Sequence, residues 1–215
     1  MNIAPNQAHD DAPQPANPRA RLFAGIIAVI AFAALAVQPL LGDGSYLENL
    51  GGMLRYFTIW GNVAACLIMA AIALGRDVSR PVMAALATAL TIIAVVYWAL
   101  LSGIHHPEGF DRITNQFHHT IVPALTIGWW LRFTPAAPLA KAMIAVIMVP
   151  PLTYGAFALV LGQATGFYPY FFSDLPALGW PKFLLSNAAF ALLFAIVGAG
   201  LVMLKNALQR KFLAR

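Results

Sequence analysis

Arg55-Tyr56-Phe57-Thr58-Ile59-Trp60-Gly61-Asn62 is where an apolar run opens and polar groups enter it. On a 3.6-residue period Arg55, Thr58 and Asn62 fall on one helix face. Arg55 stands at the edge, where a long side chain can snorkel outward. Thr58 and Asn62 lie deeper, where hydrocarbon offers no hydrogen-bond partner, so that face should turn toward other helices or a hydrated cavity. A lone Thr in such a helix more often bonds its own carbonyl four residues back, and a lone Asn more often joins two helices. A chemical role needs a partner from elsewhere in the chain.

The composition explains why this stretch should sit in a membrane. Of 215 residues, 60% are hydrophobic and 10% charged, with a mean hydropathy of +0.74. Soluble domains carry roughly a quarter charged residues. Apolar runs recur at 22–41, 53–74, 82–101, 117–133, 139–161 and 183–204. Each is near the roughly 20 residues that cross a bilayer core, which predicts an all-α bundle of six transmembrane helices over residues 21–206. The fourth run is the shortest, but it ends in the interfacial anchor Trp129-Trp130-Leu131-Arg132. Residues 1–20, with four prolines and no apolar period, read as a disordered cytoplasmic tail, and 207–215 as a short basic one. Ala34-Leu35-Ala36 imitates a signal-peptidase site, but the run before it is long for a signal peptide, so it is read as a retained span.

Charge gives the orientation. Arg19, Arg21, Arg76, Arg80, Arg132, Lys141, Lys205, Arg210, Lys211 and Arg215 would share one side, and Arg55, Arg112 and Lys182 the other. That asymmetry of ten to three places both termini in the cytoplasm. The basic residues sit at helix ends, so no nucleic-acid partner is expected. Cys66 is the only cysteine and lies in an apolar run, which excludes an intramolecular disulfide and a cysteine metal cluster. No internal repeat and no nucleotide-binding or zinc-protease motif is present, and neither a metal nor another cofactor is expected.

The second polar cluster is Asn115-Gln116-Phe117-His118-His119-Thr120-Ile121-Val122-Pro123. His118 and His119 should point about 100° apart, so at most one faces a given cavity. Pro123 lacks the N–H that would bond the His119 carbonyl, which predicts a bend there, and Pro150-Pro151 predicts another in the fifth run. A helical His is either a hydrogen-bonded packing residue or a general base, neutral near pH 7. Thr58 and His119 enter from the outer side at depths that agree within one helical turn, and a hydroxyl beside an imidazole is the minimum nucleophile–base pair. Ser102, Tyr97 and Asn62 lie near the same level. His105 and His106, next to Pro107 and Glu108, read as solvated loop residues.

Three stretches carry a resemblance. Tyr56-Phe57-Thr58-Ile59-Trp60-Gly61-Asn62, the His119-x-x-Val122-Pro123 pattern and Gly166-Phe167-Tyr168-Pro169-Tyr170 look like the androgen-induced-protein-like family of six-span membrane proteins. The similarity covers nearly the whole chain after residue 20, and the family includes bacterial members, which implies a bacterial cytoplasmic membrane. Animal members are threonine hydrolases of fatty acid esters of hydroxy fatty acids. The resemblance therefore implies Thr58 as nucleophile, His119 as base and a fatty acyl ester as substrate. Bacterial relatives often have Ser before the Asn of the first motif, where this chain has Gly61. From position alone, Asn62 could donate to an oxyanion and Arg55 could hold a substrate carboxylate. The alternatives are a non-catalytic membrane protein (a small transporter, sensor or scaffold) and a haem protein ligated through His118 or His119.

Overall fold

The computed structural model describes residues 17–213, whose regular structure is all helical, with no strand among them. The expected N-terminal tail lies outside the described residues up to position 16. Its last three positions, however, already belong to the first helix. Asn17 caps that helix through its side chain and Pro18 takes the first position, where a missing N–H costs nothing.

Eight α-helices follow in order: α1 Pro18–Val37, α2 Tyr46–Met53, α3 Phe57–Ala73, α4 Arg80–Val96, α5 Asp111–Gln116, α6 Val122–Phe133, α7 Lys141–Thr165 and α8 Leu175–Leu213. By length and composition four of the helical segments could cross a membrane, or five if α2 and α3 count as one bent span. The run from Asp111 to Phe133 is helical without a break but too polar at its start to join them.

The second span begins later than the apolar run suggests. A Ser45–Glu48 capping box opens α2, and Gly51-Gly52 weakens its end. The chain then turns at 54–56, and α2 and α3 meet at 99°. Arg55 therefore stands in the turn and does not share a helical face with Thr58 and Asn62. Neither proline site ends a helix. α7 continues through Pro150-Pro151, and Pro123 sits in the first turn of α6, directly after a π-helical turn over Phe117–Ile121. Widening to a π turn is the other way a helix absorbs an interrupted ladder. A second π turn, Tyr97–Leu101, ends α4. The one break of helical geometry in α8 is at Gly179 (φ 68°).

The core is built on small residues. Ala24, Ala28 and Ala31 of α1 face Ala65 and Met69 of α3, and Ala84, Ala87 and Leu90 of α4 fill the centre. Close approach of this kind is how helices gain contact where lipid removes the hydrophobic drive. Lys205 is only 3% exposed: its ammonium donates to the Trp130 and Leu131 carbonyls (2.7 and 3.2 Å) and lies over the Trp130 ring. One of the ten basic residues thus caps the C-terminal end of α6, where the Trp130 carbonyl also accepts from the Thr134 N–H.

Candidate functional site

Thr58 is the second residue of α3, and nothing from its own side chain caps that helix. The first N–H groups of a helix have no carbonyl to bond, so they must find other partners. The Phe57 N–H finds one in the Tyr170 hydroxyl, at 3.1 Å. Tyr170 follows α7, which ends on Gly166 in the left-handed region (φ 74°) and turns the chain back across the mouth of α3. Tyr56, Tyr154 and Phe172 pack around the Tyr170 ring.

The Thr58 side chain does not bond its own helix. Its Oγ1 lies 3.3 Å from Nε2 of His119, which is carried by the π turn at Phe117–Ile121. The other ring nitrogen, Nδ1, lies 3.1 Å from the Asn115 carbonyl oxygen. A carbonyl only accepts, so Nδ1 carries the proton of the neutral ring, and Nε2 is left to accept the Thr58 hydroxyl proton. The arrangement is a hydroxyl, a base and a group that orients the base.

The imidazole plane is fixed from one side. The Tyr97 ring lies parallel to it, 3.8 Å between centroids and 20° between planes. Asn115 holds the Tyr97 hydroxyl through its side-chain amide, at 2.6 Å, so one residue anchors both rings. Tyr97 and His119 each belong to one of the two π turns, and π turns concentrate at functional sites.

His118, one residue away, is 3% exposed, and neither ring nitrogen has a partner among the described residues. Asn62 is fully buried, one turn below Thr58. Its amide donates to the Thr58 carbonyl (2.8 Å) and to the His118 carbonyl (3.0 Å), tying α3 to the histidine turn. Both of its hydrogens are thereby used, and none is left to donate to an oxyanion. Arg55 is exposed, its guanidinium 5.1 Å over the Phe167 ring, and it lines neither cavity at Thr58. Among the described residues no three His, Cys, Asp or Glu side chains converge on a metal-binding point.

Two cavities meet at Thr58. An outward one of about 390 Å³ is lined by His118, His119, Tyr97, Asn115, Gln38 and Asp111, among others. A narrower one of about 90 Å³ runs between α4, α7 and α8, past Ile93, Val96, Tyr154, Ala158 and Phe194. Thr58 and Tyr170 line both.

Tyr97 and Tyr170 are the members that sequence reasoning left without a role. Tyr170 stands inside the third family-like motif, and Tyr97 was noted only for its depth. Tyrosines at span ends are common interfacial anchors, which hides a working one. Compared with known proteins, the chain matches no protein-family model, no curated protein and no solved structure.

Proposed function

We propose that this protein is an intramembrane lipid ester hydrolase with Thr58 as nucleophile and His119 as general base. The observation that carries the reading is the 3.3 Å approach of Thr58 Oγ1 to the acceptor nitrogen of His119, at the junction of two cavities. The resemblance of the three motifs to threonine hydrolases of fatty acid esters agrees with it.

The Thr58 hydroxyl gives its proton to His119 Nε2 as its oxygen bonds the ester carbonyl carbon, and the carbonyl oxygen becomes an oxyanion. The intermediate collapses by breaking the ester C–O bond, and the alcohol leaves with the proton from Nε2. A water then gives a proton to Nε2 while its oxygen attacks the acyl-threonine, which releases the fatty acid and restores Thr58. Oxyanion stabilisation is assigned to Tyr170, whose oxygen accepts from the Phe57 N–H and whose own O–H lies beside the Thr58 and Tyr154 side chains, from where it can donate to the oxyanion. The N-terminal dipole of α3 adds to it.

The same reading includes six spans with both termini cytoplasmic, in a bacterial cytoplasmic membrane, with Asp111–Phe133 as the fourth span and the site near the outer face. The ten-to-three basic asymmetry supports that orientation.

The test is turnover of a long-chain acyl ester by purified variants of matched thermal stability. Thr58→Ala and His119→Ala each lose activity by a factor on the order of 10³ or more, and the double variant is no worse than either. Thr58→Ser keeps a hydroxyl and retains part of the activity. Equal turnover in all variants would reduce Thr58 to a packing residue.

A further inference from the structure

His119 lines the outward cavity at Thr58 and not the narrow one. The base that takes the Thr58 proton must return it to the leaving oxygen, so the leaving alcohol lies on the His119 side. The acyl chain is then directed into the narrow slot between α4, α7 and α8. Its walls are mostly aliphatic and aromatic, with Ile93, Ala158 and Phe194 on three different helices.

Besides Thr58 and the two tyrosines, that slot carries two polar side chains, Ser173 and Asn187. Ser173 is turned back on its own loop, where its hydroxyl donates to the Tyr170 carbonyl at 3.1 Å. Asn187 is satisfied only in part. One amide hydrogen goes to the Phe183 carbonyl, four residues earlier, at 2.8 Å. The second hydrogen and the Oδ1 oxygen have no partner among the described residues. Nor is Oδ1 sealed into the packing, as the Asn62 and Asn206 oxygens are.

The oxygen faces α7 at Gly155, another residue of the slot wall. A Cβ at that position would stand 3.7 Å from Oδ1 and cover it. Glycine weakens a helix interior relative to alanine, and here it leaves the amide open. A half-satisfied amide in an apolar slot is costly until a ligand supplies its partners. A hydroxyl fits both free positions, because it can donate to Oδ1 and accept from the remaining N–H. A plain methylene chain fits neither.

We infer that Asn187 is a specificity-determining residue of the slot, and that the preferred acyl chain carries a hydroxyl on the acid half of the ester, where the chain passes Gly155. The inference rests on the hydrolase reading above and specifies the acyl group of its substrate.

The experiment uses methyl esters of one long-chain acid, unsubstituted or with a single hydroxyl stepped along the chain, on the purified full-length protein in detergent. One narrow group of positions is expected to show kcat/KM about three- to tenfold above the unsubstituted ester, the gain from a hydrogen-bonded pair. The remaining positions should fall below it, because a hydroxyl without a partner is costly there. Asn187→Leu should erase the preference by lowering kcat/KM for the favoured isomer. Gly155→Ala lays a methyl over Oδ1 and should reduce the same preference. The ratio of two esters within one variant does not depend on how much of it is folded. A parent protein that hydrolyses the unsubstituted ester as well as every hydroxy isomer would overturn the inference and leave the hydrolase reading standing. A preference that survives Asn187→Leu would overturn the assignment to Asn187. Reaction of Thr58 with an active-site phosphonate but hydrolysis of none of these esters would overturn the inference alone. Neither reaction nor hydrolysis would overturn both readings together.

Discussion

The ring of Tyr97 lies flat against the imidazole of His119, 3.8 Å away, and the Asn115 side-chain amide holds the Tyr97 hydroxyl. Stack and anchor make separable predictions. Tyr97→Phe keeps the ring and leaves the Asn115 amide without its partner, so it should lower stability by about 1–3 kcal/mol while keeping most of the turnover per folded molecule. Tyr97→Ala removes the surface that sets the imidazole plane and should lower kcat by at least about tenfold, since small misplacements of a catalytic group are costly. Turnover and thermal unfolding measured on both variants check this; equal kcat losses would mean that the stack does not position the base.

Tyr170 is expected to act through its hydroxyl alone. Tyr170→Phe keeps the aromatic packing against Tyr56 and Phe172, but removes the hydroxyl proposed to donate to the oxyanion. Loss of one oxyanion donor lowers kcat by roughly 10²–10³. The change should fall on kcat with little change in KM. Full activity in the Phe variant would leave the helix N-terminus as the only stabilising group.

Gly61 tests the narrow cavity. A Cβ built there would collide with Ile93 Cδ1, and Ile93 lines that slot. Gly61→Ala must therefore push the end of Ile93 aside, at an overpacking cost of about 1–3 kcal/mol. The slot narrows, so activity should fall more for a long acyl chain than for a short one. Parallel losses across an acyl-length series would argue that the chain lies elsewhere.

The orientation can be read with thiol chemistry. In a background with Cys66 replaced, cysteines at positions 43, 108 and 174 should react with an impermeant reagent on intact cells, and cysteines at 76 and 141 should not. The opposite pattern would place the site on the cytoplasmic side.

How much of this was legible in the sequence differs by residue. Thr58 and His119 stand out because polar side chains in an apolar run are expensive, and depth matching across two spans brings them to one level. Arg55 did not obey the same logic. Helical periodicity was extrapolated backward through Gly51-Gly52 and the 54–56 turn, where the helix does not run. The π turns have no signal in the sequence: one precedes Pro123, and the other, at Tyr97–Leu101, has no proline near it. Tyr97 and Tyr170 were hidden by the ordinary role of tyrosines at membrane boundaries. The burial of His118 has no signal in the sequence, because nothing local shows what covers it.

The most direct test of the central claim is covalent. A fluorophosphonate reacts with an activated hydroxyl and not with one that only packs, and mass spectrometry of the labelled protein identifies the site. The detergent-purified protein should be modified at Thr58, with labelling lost in His119→Ala and retained in Thr58→Ser. No modification of Thr58 in folded protein, or labelling that persists unchanged in His119→Ala, would contradict the account.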